Sequence, residues 1–150
     1  MNVLFVCTGN TCRSPMAAAL LKDQAPSLQV KSAGIYASNG SVANPNTVAV
    51  LKEDDILIDH AAAIVTTELL TWADVVLTMT LSHKMLLDVH FPGCEDKIFP
   101  LIQYVESENN IADTLSVDIA DPFGQSIEVY RDTKEQLQKY ITKLIKNYNN

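Results

Sequence analysis

Short apolar runs alternate with amphipathic stretches along most of this chain, which predicts strands interleaved with helices. Val3 to Val6 is the first apolar run and reads as a buried strand. A compact polar stretch follows, and Ser14-Pro15 then carries a helix-start signal. Serine is a favoured N-cap, and proline suits a first turn whose N–H has no partner in any case. Met16, Ala17, Leu20 and Leu21 fall on one face of the helix expected from Pro15 to Gln24, which Pro26 ends. Gln29 to Ala33 reads as a second strand stopped by Gly34, and Ser38 to Ser41 as a turn. Asn44-Pro45 repeats the cap-plus-proline signal before a helix through Val48 and Leu51. Ile56 to His60 reads as a short connection. Thr66 is placed to cap a helix holding Glu68, Leu69, Leu70 and Trp72. Asp74 to Met79 is a third strand. Ser82 to His90 is expected as a helix with Met85, Leu86 and Val89 inward, ended by Pro92-Gly93. Lys97 to Phe99 is a fourth strand, and a long polar loop is expected from Glu106 to Gln125. The last helix starts near Ser126, with Tyr130, Leu137, Ile141, Leu144, Ile145 and Tyr148 as its core stripe.

This order implies an α/β protein, a three-layer Rossmann-like fold. Its four-stranded parallel sheet would have right-handed crossovers and helices on both faces. Ligands in such folds sit beyond the carboxyl ends of the strands, where the strand order reverses. No internal repeat, low-complexity tract or linker interrupts the pattern, so the expectation is a single domain over 1–150.

Composition narrows the classes. The 47% hydrophobic and 19% charged content fits a soluble globular chain. A net charge of −7 argues against nucleic acid, because neutralising phosphates takes clustered Lys and Arg. It also means that any anion must be captured by local groups. Glu53-Asp54-Asp55 and Glu106-Ser107-Glu108 read as solvated surface. No apolar run approaches membrane-spanning length, so no membrane partner is expected. Met1-Asn2 leads straight into a strand without a basic leader, and the expected compartment is the cytoplasm. Three cysteines do not form a disulfide framework. No His, Cys and acid spacing suggests a metal, and no cofactor is expected.

The chemistry gathers where the first strand meets the first helix. Cys7 ends the strand, Arg13 stands at the helix mouth, and five residues separate them. Loop and helix N–H groups converging there would cradle an anion, and the helix dipole favours negative charge. Arg13 would fork two oxygens of a phosphate-sized group. The same environment is expected to lower the Cys7 pKa, leaving a thiolate poised for in-line attack on phosphorus. Gly9 would let the backbone approach closely or take a positive φ. Cys-x5-Arg alone also fits a buried cysteine beside a capping arginine. The preceding strand, Gly9-Asn10 and Ser14-Pro15 favour the chemical reading. Asp121 is held by the following Pro122 in an extended backbone; taken alone it fits an ordinary turn aspartate, and beside the loop it becomes the candidate general acid.

Cys7-Thr8-Gly9-Asn10-Thr11-Cys12-Arg13-Ser14-Pro15 resembles the phosphate loop of the low-molecular-weight protein tyrosine phosphatases. Asp121-Pro122-Phe123-Gly124 is a second mark of that family, and the likeness covers almost the whole chain. The resemblance implies a nucleophilic Cys7, phosphoryl oxygens held by Arg13 and the loop from Thr8 to Ser14, and proton transfer by Asp121. Asp121 would protonate the leaving group and then activate water against a phosphocysteine. It further implies that Ser14 donates to the Cys7 thiolate, that Asn10 holds the loop's shape, and that Ser32 and His60 buttress Asn10. Phe123 would wall the mouth of the site. Cys12 would act as a redox guard, pairing with Cys7 on oxidation. Cys94 reads as structural or incidental, and His83 and His90 as surface residues.

Thr11 bears on the substrate. Tyrosine-specific members usually carry a larger aliphatic residue there. Threonine, with Phe123-Gly124 after Asp121-Pro122, resembles the bacterial protein-arginine phosphatase branch. A smaller side chain with a hydroxyl suits a planar guanidinium, which Asp121 could also hold. Phosphorylated proteins are the implied partners, and a monomer is the default expectation. A tyrosine phosphatase remains the alternative. A thioredoxin-coupled arsenate reductase would need two further cysteines close together, and only Cys94 lies outside the loop. A non-catalytic phosphate-binding or redox-sensing module would need neither nucleophile nor acid.

Overall fold

The computed structural model describes residues 1–106 and 116–150. Strands β1 (Asn2–Cys7), β2 (Gln29–Gly34), β3 (Val75–Thr78) and β4 (Ile98–Pro100) form one parallel sheet in the order β2-β1-β3-β4. The order reverses at β1, so Cys7 stands at the switch point, where such sheets bind ligands. β1 is central because it is apolar on both faces. Val3, Phe5 and Cys7 face one core cluster, and Leu4 and Val6 face the other.

Helices α1 (Arg13–Gln24), α2 (Pro45–Lys52), α5 (Leu101–Val105) and α6 (Ile127–Asn149) supply the first cluster. Helices α3 (Thr67–Trp72) and α4 (Leu81–His90) supply the second. The sheet is therefore covered on both sides, and the three-layer expectation holds. The caps at Asn44 and Thr66 form as read, accepting from Asn46 N and Leu69 N. α5 was not expected from the sequence; it is a five-residue helix directly after β4 that buries Leu101, Ile102 and Val105 in the first cluster. Of the long polar loop, 107–115 lies outside the described residues, and 116–125 forms no helix or strand.

Several expectations are corrected. α1 begins at Arg13, with Cys12 at the N-cap position and no side-chain cap. Ser14 is already helical, so its hydroxyl is free for other work. On α4 the buried residues are His83 and Leu87, while Met85 is 59% and Val89 76% exposed. Leu87 packs with Val76 and Ile98, which sets the helix rotation, and the residue one turn earlier on that face is His83. His83 is therefore no surface residue, whereas His90 is exposed. On α6 the buried stripe is Tyr130, Thr133, Leu137, Tyr140, Ile141 and Leu144; Ile145 packs at its edge and Tyr148 points outward. The acidic run at Glu53 and Asp54 is solvated but paired, to Arg131 at 2.8 Å and Lys134 at 2.9 Å. Among the described residues, no helix is long and apolar enough to cross a membrane.

Candidate active site

The loop between β1 and α1 folds tightly because one residue, Asn10, takes a left-handed backbone with φ of 58°. Asparagine tolerates this conformation better than most residues. Its side chain makes three hydrogen bonds. Nδ2 donates to Ser14 Oγ at 2.8 Å and Ser32 Oγ at 2.9 Å, and Oδ1 accepts from Ala63 N at 3.0 Å. The Asn10 carbonyl meets His60 Nε2 at 2.7 Å. Ser32 and His60 thus both contact Asn10. Gly9 is not the left-handed residue, and a Cβ there would meet nothing closer than Thr11 Oγ1 at 3.8 Å.

The glycine this loop needs is Gly34. A Cβ at Gly34 would lie 2.5 Å from Thr8 O and 2.9 Å from Asn10 N. β2 pairs Gly34 with Cys7, and the chain beyond it binds the loop through Ile35 N to Cys7 O and Tyr36 N to Thr8 O. Gly34 could have been singled out from the sequence only by knowing that register. From the other side, Asn44 N and Thr47 Oγ1 donate to Thr11 O at 2.9 and 3.3 Å, so the start of α2 fixes Thr11.

Cys7 is buried beneath the loop, with its Sγ 2.8 Å from Ser14 Oγ. Burial pushes the Cys7 thiol up. The Ser14 hydroxyl and amide, the Arg13 charge and the Asn10 amide pull the other way. The lowered pKa expected from the sequence counted those stabilising groups and left out the desolvation of the sulfur. Ser14 Oγ accepts from Asn10, so its single proton can serve either the Cys7 sulfur or the Ala33 carbonyl at 3.4 Å.

Arg13 is buried. Its Nη1 donates to Ile119 O at 2.9 Å, and its Nη2 lies 3.6 Å from Asp121 Oδ2. Ile119 N in turn bonds Met79 O just past β3, and Asp118 Oδ1 accepts from Leu81 N at the start of α4. The segment carrying Asp121 is thereby anchored to the sheet and to a helix start. Asp121 Oδ1 accepts from Phe123 N at 3.1 Å, which closes a local turn, and the Asp121 side chain remains half exposed.

A cleft of about 200 Å³ results, lined by Cys7, Arg13, Asp121 and Phe123 together with Thr8, Gly9, Thr11 and Cys12. Asn10, Ser14, Ser32 and His60 do not line it and belong to the support beneath. Cys12 Sγ lies 3.4 Å from Tyr130 Oη, a contact the sequence did not suggest. Burial, and then Cys12, push the Tyr130 hydroxyl up, so it stays protonated. Thr8 Oγ1 is 2.9 Å from His83 Nε2, a second unforeseen contact. Cys94 is half-buried against the other core cluster. A larger cleft of about 470 Å³ shares only the supporting residues Ser32 and His60 with this network and is not lined by Cys7, Arg13 or Asp121.

A sulfur at the base of an anion cradle, a buried guanidinium and a carboxylate over the mouth together define a site for covalent phosphoryl transfer. The profile of the family described as low molecular weight phosphotyrosine protein phosphatase matches residues 2–150. The chain belongs to that family. A protein-arginine-phosphatase of Geobacillus stearothermophilus is 47% identical over 143 residues, covering 95% of this chain and 92% of that one. The low molecular weight protein-tyrosine-phosphatase PtpB of Staphylococcus aureus is 39% identical over 144 residues, covering 96% of each. Among solved structures, a mutant of the YwlE arginine phosphatase with a phosphorylated active-site serine superposes with a TM-score of 0.91. It shares 39% identity, covering 99% of this chain and 96% of that one.

Proposed function

We propose that this chain is a protein-arginine phosphatase that hydrolyses phosphoarginine in cytoplasmic proteins, acting as a single domain. The carrying observation is that Cys7, Arg13 and Asp121, brought from distant parts of the chain, line one cleft. Cys7 Sγ attacks phosphorus as the P–N bond to the guanidine breaks, and Asp121 gives the departing nitrogen its proton. Water then attacks the phosphocysteine, Asp121 takes the water's proton, and the sulfur leaves as thiolate. The loop amides and Arg13 hold the phosphoryl oxygens throughout. An arriving phosphoryl group takes up Arg13, which frees Asp121 for the leaving group. No step calls for a metal or a cofactor.

Thr11 and Asp121 on the cleft wall favour arginine: a hydroxyl and a carboxylate suit a planar cationic leaving group better than a phenyl ring. The arginine phosphatase named among the relatives supports the same substrate. The tyrosine phosphatase among them keeps phosphotyrosine as the second reading. Rates on phosphoarginine and phosphotyrosine peptides, measured side by side, separate the two. Wild type should prefer phosphoarginine, and Thr11→Ile should move the ratio toward phosphotyrosine. A wild-type preference for phosphotyrosine would defeat the arginine assignment, and an unchanged ratio in Thr11→Ile would remove Thr11 from it. Cys7→Ser should lose at least about a thousandfold in kcat while still binding phosphate. Turnover equal to wild type in that variant would defeat the covalent mechanism.

A further inference from the structure

We propose that His83 is a positioning residue for the hydrolysis, holding the Thr8 hydroxyl with its proton turned toward the phosphoryl cleft. The proposal rests on the cleft being the phosphate site described above. His83 is 5% exposed in the first turn of α4, and its Nε2 lies 2.9 Å from Thr8 Oγ1. Its other nitrogen, Nδ1, is buried with no hydrogen-bond partner among the described residues.

A neutral imidazole carries one N–H and one lone pair, and the hydrogen-bond network decides which nitrogen has the proton. A buried N–H with no acceptor is the rarer and costlier orphan, so the partnerless Nδ1 is the bare nitrogen. Nε2–H then donates to Thr8 Oγ1. A hydroxyl that accepts at that point keeps its own proton for another acceptor, and Thr8 lines the cleft beside Cys7 and Arg13. Phosphoryl oxygens only accept, so the freed proton matches them. The opposite tautomer would consume the Thr8 proton and turn oxygen lone pairs on the phosphoryl group.

The surroundings keep the ring neutral. Burial and then Arg13 hold the His83 pKa down to about 4, against a weaker pull from Asp118 and Asp121. The donor to Thr8 is therefore a neutral imidazole across the physiological range.

Binding of inorganic phosphate tests the idea without requiring turnover. His83→Phe and Thr8→Val should each weaken phosphate about tenfold, the worth of one hydrogen bond to a charged group. The double variant should be no weaker than either single one, and His83→Gln, which keeps a donor, should bind like wild type. Full additivity in the double variant, or unchanged affinity in Thr8→Val, would overturn the proposal. Nitrogen NMR on the unaltered protein supplies a check free of folding defects. It should find Nε2 protonated and Nδ1 bare between about pH 5 and 8, and the reverse pattern would overturn the assignment. Failure of wild type to hydrolyse phosphoproteins would strike the activity instead, leaving these two measurements intact.

Discussion

Ser14 has one proton and three neighbours, and that arithmetic gives it a role in the titration of Cys7. Asn10 occupies it as an acceptor, so ionisation of the sulfur draws the Ser14 proton from Ala33 O to Sγ. Ser14→Ala removes the hydrogen bond that does most to stabilise the thiolate. The thiol pKa should rise further, less thiolate should be present at a given pH, and the acid limb of the kcat/KM profile should move to higher pH. A profile unchanged in position would show that the hydroxyl does not stabilise the anion. His83 gives a second pH dependence, in stability. Its native pKa lies near 4 against 6.5 in the unfolded chain, so the unfolded state binds more protons between those values. The stabilisation is complete above pH 6.5 and is lost as pH falls toward about 4. Thermal unfolding of His83→Gln should lose less stability than wild type over that interval. At this scale the sequence was uneven. Cys7 and Arg13 could be paired from the sequence because a short loop between a strand and a helix leaves them few places to go, whereas Asn10 was singled out only through the family resemblance. His83 was not legible, since its partner Thr8 lies 75 residues away and only the rotation of α4 joins them.

Elements impose the geometry that those side chains use. β2 must run close under the loop, and Gly34 is what lets it. Gly34→Ala should cost about 1–3 kcal/mol, the usual range for forcing an atom into filled space. The Cβ would press on backbone rather than on a yielding side chain, so kcat should fall together with Tm. A variant of wild-type stability and activity would mean that β2 shifts without consequence. On α4, Leu87→Ala should cost about 2–5 kcal/mol as a buried truncation, whereas Met85→Lys should stay within about 0.5 kcal/mol at its exposed position. Denaturant midpoints would distinguish the two, and similar losses would contradict the helix rotation described here. That rotation was misread from the sequence because apolar residues occupy both faces of α4. Periodicity cannot choose between two such stripes, and Leu87 packing on Val76 and Ile98 does.

For the whole molecule, the alternation of strands and helices was legible, and so was the place of the site at a strand's carboxyl end. Asp121 and Phe123 were tied to the cleft only through the family resemblance, and the Ile119 carbonyl on Arg13 was not foreseen, because that segment reaches Arg13 through the sheet. The net charge of −7 sets the long-range behaviour. A cradle that attracts phosphate sits in a molecule that repels it, and the repulsion is screened by salt while the buried cradle is not. Moderate sodium chloride should therefore raise kcat/KM on acidic phosphopeptides. A monotonic fall from the lowest salt would show that the surface field does not oppose binding.

Asn10 uses both of its side-chain donors, on Ser14 and Ser32, and its carbonyl oxygen accepts from Ala63 N. Hydrolysis of that side-chain amide to a carboxylate, with water taken up and ammonia released, would leave the side chain nearly the same size. It would also turn a donor pair into an anion facing two hydroxyl oxygens, next to a thiolate that must itself be negative. Chemical ageing at this one amide would thus unmake the cradle from below while the cleft above kept its lining.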